Sequence, residues 1–494
     1  MKFISTRGAE ANGVSAAYAI KTGLASDGGL YMPEAFPELN KEELEELISL
    51  PYESRAARIL SKFLTDYSYE ELLYDARCAY SEEKFPGGAA PVTKISDGHY
   101  MLELWHGPTC AFKDMALQIM PRLFVRALEK CGESREALIL VATSGDTGKA
   151  ALEGYRDIPG TKIKVFYPID GVSRVQKLQM QTTEGKNVSV EGIKGNFDDA
   201  QSGVKAIFSD RALADTLSGG GVFLSSANSI NWGRLVPQIV YYVSAYCDMV
   251  RGGEIDMGEA IDVSVPTGNF GNIFAGFIAK KMGLPIGKLV CASNKNNVLT
   301  DFLTTGAYDK NRSFYATTSP SMDILISSNL ERLLYTLFGT EATAAYMRSL
   351  NTEGRYELSK EELAVVNESF VGYFTDEEMT AKTIRDTYKS KSCLIDTHTA
   401  VAVRAAERFM EDYKTERKML TVSTASPYKF AADVYRAVSG KEPIGDLEAL
   451  FELQDYTGVS IPAPIANIKD RKILHTDVID KTEMTESTKR FALG

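Results

Sequence analysis

The chain has 494 residues, with 55 Lys or Arg against 66 Asp or Glu and a net charge of −11 at pH 7. This length suits two large domains or about three smaller ones. A composition that is 44% hydrophobic and 24% charged excludes a largely disordered chain. The acidic balance, without a basic block, argues against nucleic acids and anionic membranes as partners.

Targeting and metal-binding signals are weak along the whole sequence. No apolar run approaches the roughly 18 residues of a membrane span, and residues 1–13 lack the apolar core of a signal peptide. We therefore expect a cytoplasmic protein that binds no membrane. The six cysteines are scattered without a C-x-x-C pair and there are four histidines, so neither a disulfide scaffold nor a metal site is expected.

Hydrophobic spacing predicts the order of secondary structure. Residues 1–92 are predicted to be mainly helical, with apolar residues at helical spacing in 42–50 and 54–67. From residue 137, short β-branched runs alternate with helical segments, which predicts βαβ units and mostly parallel sheets. A polar, acidic segment at 340–391 predicts a helical insertion. The predicted strands are 137–143, 162–169, 187–193, 222–226, 261–266, 289–293, 394–396 and 419–423.

In parallel sheets, ligands bind where strand ends meet helix starts, and unusual motifs stand at such junctions here. The first is HGPTCAFKD at His106–Asp114, in which Lys113 precedes a predicted helix with Met120, Phe124 and Leu128 on its buried face. A lysine beside a core has its pKa lowered by desolvation, which frees the amine for Schiff-base chemistry. A surface lysine that caps a loop is the alternative.

Two glycine-containing junctions favour anion binding. SGDTG at 144–148 follows a predicted strand, and Ser144 and Thr147 add hydroxyl donors to the free N–H groups of a helix start. GNFGN at 268–272 follows another strand and predicts a phosphate cradle without a cationic side chain. A simple turn with an Asp or Thr cap is the alternative for the first motif.

Two further clusters carry polar side chains at predicted helix starts. STASPYKF at 423–430 places the hydroxyl of Thr424 after a strand, where it can hydrogen-bond to a ring nitrogen. SANSINWGR at 226–234 contains Asn228, Ser229 and Arg234, and the guanidinium of Arg234 can bind an oxyanion. Ordinary helix capping is the alternative for both. His106 and His398 are interpreted as structural.

Together and in this order, these motifs resemble the threonine synthase family, pyridoxal-phosphate enzymes of the tryptophan-synthase-β-like fold (fold type II). The resemblance runs nearly end to end and includes STRG at 5–8 and the segment 23–33. It implies an α/β fold with two open, mostly parallel sheets flanked by helices and a mainly helical region at 1–92. A large cofactor-binding domain of 93–113 and 251–494 and a smaller α/β domain of 114–250 are implied as well.

The resemblance also implies roles for individual residues. Lys113 matches the Schiff-base lysine, Phe112 lies near the cofactor ring, Asp146 lies near its phenolic oxygen, and Thr424 faces its pyridine nitrogen. The cofactor-phosphate loop is Gly268, Asn269, Phe270, Gly271 and Asn272, and the substrate-binding residues are Ser144, Thr147, Asn228, Ser229 and Arg234. No metal is implied.

The activity implied by this likeness is the conversion of O-phospho-L-homoserine and water into L-threonine and phosphate by a β,γ-replacement that uses pyridoxal 5'-phosphate. Such an enzyme needs a second oxyanion site for the leaving phosphate, which accounts for two anion-binding clusters in one chain. Its partner is a small-molecule substrate, and the chain is expected to be a monomer or homodimer. The alternatives are a phospho-lyase of the same family that releases 2-oxobutyrate and ammonia, and a non-catalytic binding module.

Overall fold

The computed structural model describes residues 1–143, 145–170 and 172–494. Its N-terminal region is mainly helical, as predicted. Reciprocal capping boxes fix the starts of two helices, Asn40 with Glu43 and Ser68 with Glu71. The elements of this region are β1 (Phe3–Ser5), α1 (Ala16–Thr22), β2 (Tyr31–Pro33), α2 (Lys41–Ile48), α3 (Tyr52–Phe63) and α4 (Tyr69–Ala79).

A β-hairpin and two helices follow. The hairpin was not predicted, while the helix with Met120, Phe124 and Leu128 on its buried face is confirmed. The elements are β3 (Val92–Ser96), β4 (His99–Glu103), α5 (Asp114–Leu117) and α6 (Met120–Lys130).

Residues 136–251 alternate strands and helices as the sequence predicted. The elements are β5 (Glu136–Ala142), α7 (Asp146–Tyr155), β6 (Thr161–Pro168), α8 (Arg174–Gln181), β7 (Val188–Lys194), α9 (Phe197–Ser209), α10 (Arg211–Gly219), β8 (Val222–Ser225) and α11 (Trp232–Arg251).

The remaining residues continue the alternation. The elements are β9 (Ile261–Pro266), α12 (Gly271–Lys281), β10 (Ile286–Ser293), α13 (Val298–Thr305), β11 (Ala307–Asp309), α14 (Leu330–Thr352), β12 (Arg355–Glu357), α15 (Lys360–Ser369), β13 (Phe370–Phe374), α16 (Glu377–Lys391), α17 (Thr397–Tyr413), β14 (Met419–Ser423), α18 (Ala431–Ser439), α19 (Glu448–Thr457), α20 (Ala463–Ala466), β15 (Val478–Asp480) and α21 (Met484–Leu493).

The larger sheet has six strands in the order β13-β10-β9-β14-β4-β3. All neighbouring pairs are parallel except β3 and β4, which form the antiparallel hairpin at one edge. The strands β9, β14 and β4 are adjacent and parallel, so their carboxyl ends lie along one edge of the sheet. The loops that leave these three ends carry the motifs GNFGN, STASPYKF and HGPTCAFKD.

The smaller sheet has five parallel strands in the order β15-β7-β6-β5-β8. The α/β fold with two open, mostly parallel sheets flanked by helices is therefore confirmed. The predicted larger domain included all of 251–494, yet β15 pairs with β7, because β7 would otherwise be an open edge. The end of the chain thus belongs by its pairing to the smaller sheet.

Two local predictions were wrong. Residues 394–396 form no strand, because the Asp396 side chain accepts hydrogen bonds from the backbone of His398 and Thr399 and caps α17. The predicted helical insertion at 340–391 contains β13, which pairs with β10 at the edge of the larger sheet. The short aromatic and β-branched run of Phe370–Phe374 suits a strand better than a helix. In the part of the chain that the structure describes, no helix is long and apolar enough to cross a bilayer.

A buried arginine joins the N-terminal region to the long helix α11. The guanidinium of Arg55, 2% exposed, donates to the Asp248 carboxylate at 2.7 Å and to the Ser244 hydroxyl at 2.8 Å. It also donates to the carbonyls of Leu47 and Ile48 at 2.7 and 2.8 Å. These bonds satisfy a charge that would otherwise be costly to bury.

The Arg55→Met variant is therefore expected to lose about 3 kcal/mol of unfolding free energy, because it removes the buried partner of Asp248 and leaves three further acceptors without their donor. Arg251 supplies a matched control, since it pairs with the same carboxylate at 2.8 Å but is 55% exposed. Arg251→Met is expected to cost less than about 1 kcal/mol. Urea unfolding followed by circular dichroism measures both, and equal losses would contradict the role of Arg55.

Candidate active site

The loops that follow β14 and β4 are joined at the carboxyl edge of the larger sheet. The backbone N–H of Phe112 donates to the carbonyl of Thr424 at 2.8 Å, and Ala111 and Ala425 form an isolated bridge. These contacts fix Lys113, which directly follows, at the start of α5. Thr424 is buried beside this junction.

The Lys113 side chain is 9% exposed, and its amine lies 4.9 Å from the centre of the Phe112 ring. Burial lowers the pKa of this amine, and the nearby cations Lys429 and Arg234 add to the effect against the opposing pull of Asp146. A lower pKa favours the uncharged amine, which is the form that acts as a nucleophile and as a base. The structure thus places Lys113 in a reactive setting rather than at the surface.

Asp146 enters the site from the smaller sheet, at the first position of α7. Its Oδ2 lies 3.5 Å from the Lys113 amine, and its Oδ1 accepts from Lys429 at 2.8 Å and from Gln176 at 2.9 Å. Burial alone would raise the pKa of this carboxyl, but the two ammonium groups outweigh burial and hold the pKa well below its usual range. Asp146 is therefore a permanent buried anion.

The glycine before Asp146 is required by this packing. Gly145 has φ +148°, and a Cβ there would come within 2.6 Å of the Gln176 side chain. Any other residue would push Gln176 away from the Asp146 carboxylate.

Ser321 connects Lys113 to the phosphate-cradle motif. Its hydroxyl lies 3.3 Å from the Lys113 amine, and its carbonyl oxygen is 2.7 Å from where a Cβ on Gly268 would stand. Its backbone N–H donates to Nε2 of His398, whose Nδ1 is bonded to Asp396 at 2.9 Å. His398 therefore accepts through Nε2, carries its proton on Nδ1, and holds the Ser321 turn in place.

The loop 268–272 leads directly into α12, with Phe270 in the left-handed region at φ +61°. Side chains from 327–329 bind its carbonyls: Ser327 donates to Gly268 at 2.7 Å and Asn329 to Asn269 at 2.9 Å. With its carbonyls bound from behind, the loop presents the free N–H groups of a helix start. Tyr241 and Tyr242 both donate to Oδ1 of Asn272 at 2.6 Å. The buried Nδ2 of Asn272 has no partner among the described residues.

Arg234 is a buried cation without a carboxylate partner in the described part of the chain. It is 4% exposed, and its Nη1 donates to the carbonyl of Ala227 at 2.6 Å. Its Nε finds no acceptor among the described side chains and backbone. Burial lowers the pKa of the guanidinium to about 10. A cation held this way is poised to bind an anion.

The other predicted substrate-binding residues are less closely linked to Lys113 and Arg234. Ser144 lies outside the described residues. The side chains of Thr147, Asn228 and Ser229 make no hydrogen bond to Lys113 or Arg234 within the described ranges. Thr147 lies in the first turn of α7, beside Asp146. Asn228 and Ser229 lie on the loop that follows β8, and Asn228 is exposed.

Sequence reasoning missed Lys429, Gln176 and Ser321. Lys429 stands inside the motif STASPYKF, but a buried lysine cannot be told from an exposed one by its letter. Gln176 lies on α8 and Ser321 in a short 3-10 turn at Pro320–Met322. Their roles depend on contacts across the fold, and no local pattern marks them.

One cavity beside the HGPTCAFKD loop is not built around Lys113. It has a volume of about 700 Å³, and the loop residues His106 and Cys110 form part of its wall. Its Lys149 and Arg156 pair with Glu153 at 2.9 and 3.0 Å. His106 is bonded to Glu103 at 2.7 Å and stacks on Trp105. We assign the chemistry to the buried residues around Lys113, because the reactive amine is there. No group of three or more His, Cys, Asp or Glu side chains in the described ranges is arranged to hold a metal ion.

Comparison with families of known proteins identifies the class of enzyme to which the chain belongs. Residues 99–425 match the family of pyridoxal-phosphate-dependent enzymes, and the two open sheets with loops at their carboxyl edges are the fold of that class. Residues 2–80 match the threonine synthase N terminus, and residues 399–470 match the threonine synthase C-terminal family.

Individual relatives narrow the assignment. The chain is 38% identical over 477 residues to threonine synthase from Pseudomonas aeruginosa, covering 95% of this chain and 97% of that protein. The crystal structure of a PLP-bound threonine synthase from Brucella melitensis matches with a TM-score of 0.89 and 36% identity over 100% of both chains. Threonine synthase from yeast matches with a TM-score of 0.89 and 32% identity over 99% of this chain and 97% of that one. The chain belongs to the threonine synthase family.

The close approach at Gly268 predicts a loss of cofactor binding on substitution. A Cβ at Gly268 would stand 2.7 Å from the Ser321 carbonyl oxygen, so the loop has to shift. Overpacking of this kind costs about 1–3 kcal/mol, and we expect Gly268→Ala to weaken pyridoxal 5'-phosphate binding at least about fivefold. Gly219→Ala is the control, because its Cβ would meet nothing within 4 Å. Fluorescence titration with the cofactor measures both; unchanged affinity in Gly268→Ala would refute the cradle.

Proposed function

We propose that this chain converts O-phospho-L-homoserine and water into L-threonine and phosphate, with pyridoxal 5'-phosphate attached at Lys113. The proposal rests on one observation: two separate groups of hydrogen-bond donors that can bind anions lie around one buried, reactive lysine. One group is the loop 268–272, and the other is Arg234 at the start of α11. Two anion sites suit a reaction in which both cofactor and substrate carry a phosphate.

The residues around Lys113 fit the cofactor. The amine is held next to the Phe112 ring, which suits an aromatic cofactor, and the loop 268–272 offers N–H donors without a competing carboxylate. The buried Nδ2 of Asn272, which no described group accepts, matches the need of a phosphate oxygen. Thr424 supplies a hydroxyl suited to a pyridine nitrogen. When bound, the cofactor supplies the electron sink for carbanion chemistry.

The chain itself has to move protons at the substrate. We assign this work to the Lys113 amine, because burial lowers its pKa and so favours the uncharged form, which can accept a proton. Ser321, with its hydroxyl at 3.3 Å, orients the amine. Asp146 stays ionised beside it and lies where the cofactor's phenolic oxygen is expected.

Arg234 is assigned to the anionic groups of the substrate. Its unsatisfied Nε and its lack of a described carboxylate partner leave its charge available. Ser144, Thr147, Asn228 and Ser229 are proposed to add hydroxyl and amide donors around the same groups. The low exposure of Lys113 and Arg234 excludes bulk water, which strengthens each of these interactions.

We further propose that the protein acts in the cytoplasm. Support comes from its six cysteines, all of which are free thiols in the structure, a pattern typical of a reducing compartment.

A product assay tests the activity. The purified protein is incubated with O-phospho-L-homoserine, with and without pyridoxal 5'-phosphate, and amino acids, phosphate, 2-oxobutyrate and ammonia are quantified. Cofactor-dependent threonine and phosphate in equal amounts support the proposal. Release of 2-oxobutyrate and ammonia without threonine would establish the phospho-lyase alternative, and no turnover with bound substrate would establish a binding module.

The variant Lys113→Ala is expected to keep its fold and to lose covalent attachment of the cofactor and essentially all turnover, because the amine is both the attachment point and the base. Circular dichroism checks the fold, borohydride reduction with mass spectrometry checks attachment, and the product assay checks turnover. Normal activity in this variant would refute the site assignment.

The variant Arg234→Ala is expected to raise the KM for O-phospho-L-homoserine at least about tenfold, with a smaller change in kcat, because charged hydrogen bonds contribute about 1.5–3 kcal/mol. Arg234→Lys keeps the positive charge without the planar guanidinium, and its KM is expected to lie between those of the wild type and Arg234→Ala. Arg436→Ala is the control, since Arg436 is 44% exposed and pairs with surface carboxylates. Steady-state kinetics measure all three, and an unchanged KM in Arg234→Ala would contradict its role.

A further inference from the structure

The candidate active site contains two buried lysines that compete for one carboxylate. Lys429 lies 2.8 Å from Oδ1 of Asp146, whereas Lys113 lies 3.5 Å from Oδ2. The first distance is that of a charge-assisted hydrogen bond, and the second is at the limit of hydrogen bonding. Asp146 is therefore held mainly by Lys429.

The hydrogen-bond donors of Lys429 are all used by contacts within the protein. Its side chain is fully buried, and its amine donates to the Asp146 carboxylate, to the Thr109 carbonyl at 3.0 Å and to Oε1 of Gln179 at 3.0 Å. An ammonium has three donors, and these three acceptors satisfy all of them. Lys429 is thus a fixed cation that does not reach the reacting groups.

The contacts of Asp146 show the same asymmetry. Oδ1 accepts from Lys429 and from the amide of Gln176 at 2.9 Å, while the partners of Oδ2 among the described residues are Lys113 and the Ser321 hydroxyl, at 3.5 and 3.4 Å. The charge of Asp146 is therefore largely neutralised on the side away from Lys113.

We propose that Lys429 is a positioning residue that holds Asp146 in a buried ion pair and thereby keeps the carboxylate from pairing closely with the reactive Lys113 amine. This inference rests on the proposed role of Lys113 as the cofactor lysine. A free carboxylate within about 4 Å would favour the charged ammonium and raise the pKa of a lysine by about 1–3 units. Lys429 prevents this rise in the pKa of Lys113 because it already pairs with the Asp146 carboxylate.

The other charged groups near Lys113 act in the same direction or stand apart. Arg234 is a cation and lowers the pKa of Lys113 further. Asp114 accepts from the backbone N–H and the hydroxyl of Thr109, both at 2.8 Å, and burial raises the pKa of its carboxyl to about 6. Asp146 is thus the one carboxylate among the described residues that contacts the Lys113 amine.

The ionisation of Lys113 can be measured without turnover. The full-length, cofactor-free protein is pulsed with a trace of isotopically labelled acetic anhydride between pH 6 and 11, and mass spectrometry of the Lys113 peptide gives the midpoint of its labelling. In Lys429→Met, Asp146 is free to pair with Lys113, and the midpoint is expected to rise by at least one unit. At any pH well below the wild-type midpoint, labelling then falls about tenfold.

Two matched variants make the result specific. Lys429→Arg keeps the cation and is expected to leave the Lys113 midpoint within about half a unit of wild type. Lys164→Met removes a lysine of similar burial on β6, which is 1% exposed and pairs with Glu191 of β7 at 2.8 Å. This variant is expected to leave the Lys113 midpoint unchanged. A folded Lys429→Met variant with an unchanged midpoint would overturn the proposal, as would an equal rise in Lys164→Met.

The double variant Lys429→Met/Asp146→Asn decides the matter if Lys429→Met fails to fold. It removes both charges of the pair, so a closed pair predicts a Lys113 midpoint within about half a unit of wild type. A shift of one unit or more in either direction would overturn the proposal. The labelling result is independent of threonine formation. A wild-type protein that makes no threonine but shows these shifts would refute the proposed function alone.

Discussion

The site depends above all on the common direction of three neighbouring strands, β9, β14 and β4. Because they are parallel, their carboxyl ends lie together, and loops far apart in sequence meet there: the Phe112 N–H binds the Thr424 carbonyl, and Gly268 lies against Ser321. Asp146 comes from the smaller sheet and completes the surroundings of Lys113. The chemistry therefore requires both sheets, and no single loop carries it.

The candidate site differs in charge from the acidic chain as a whole. Around the reacting centre, Lys113, Arg234 and Lys429 face one permanent carboxylate, so the site is positive although the chain carries −11. Net charge governs encounters with polymers and surfaces. Recognition of a small phosphorylated molecule is set by a few buried donors. Burial also separates the roles of the lysines: one is held as a saturated cation, while the other has few partners and is reactive.

Much of this arrangement could be predicted from the sequence, and the exceptions have physical reasons. The alternation after residue 137 predicted the strands, because buried parallel strands need continuous apolar runs. Lys113, Asp146 and the loop 268–272 were predicted as site residues because they stand at strand-to-helix junctions, and the structure places Asp146 and the Ser321 turn against Lys113. Lys429, Gln176 and Ser321 act through contacts between distant segments, which no local pattern records. Residues 394–396 look strand-like, but the Asp396 side chain satisfies the start of α17 instead.

The pairing of β15 with β7 has a consequence for synthesis on the ribosome. β7 is made long before β15 emerges, so the nascent smaller sheet has an unpaired edge for most of translation. Ser487, on the helix that follows β15, also binds the buried carboxylate of Glu191 on β7 at 2.7 Å. Until these last elements arrive, that edge is available to other chains and to holdase chaperones. The smaller sheet is thus completed long after β7 is made, whatever the order in which the rest of the fold forms.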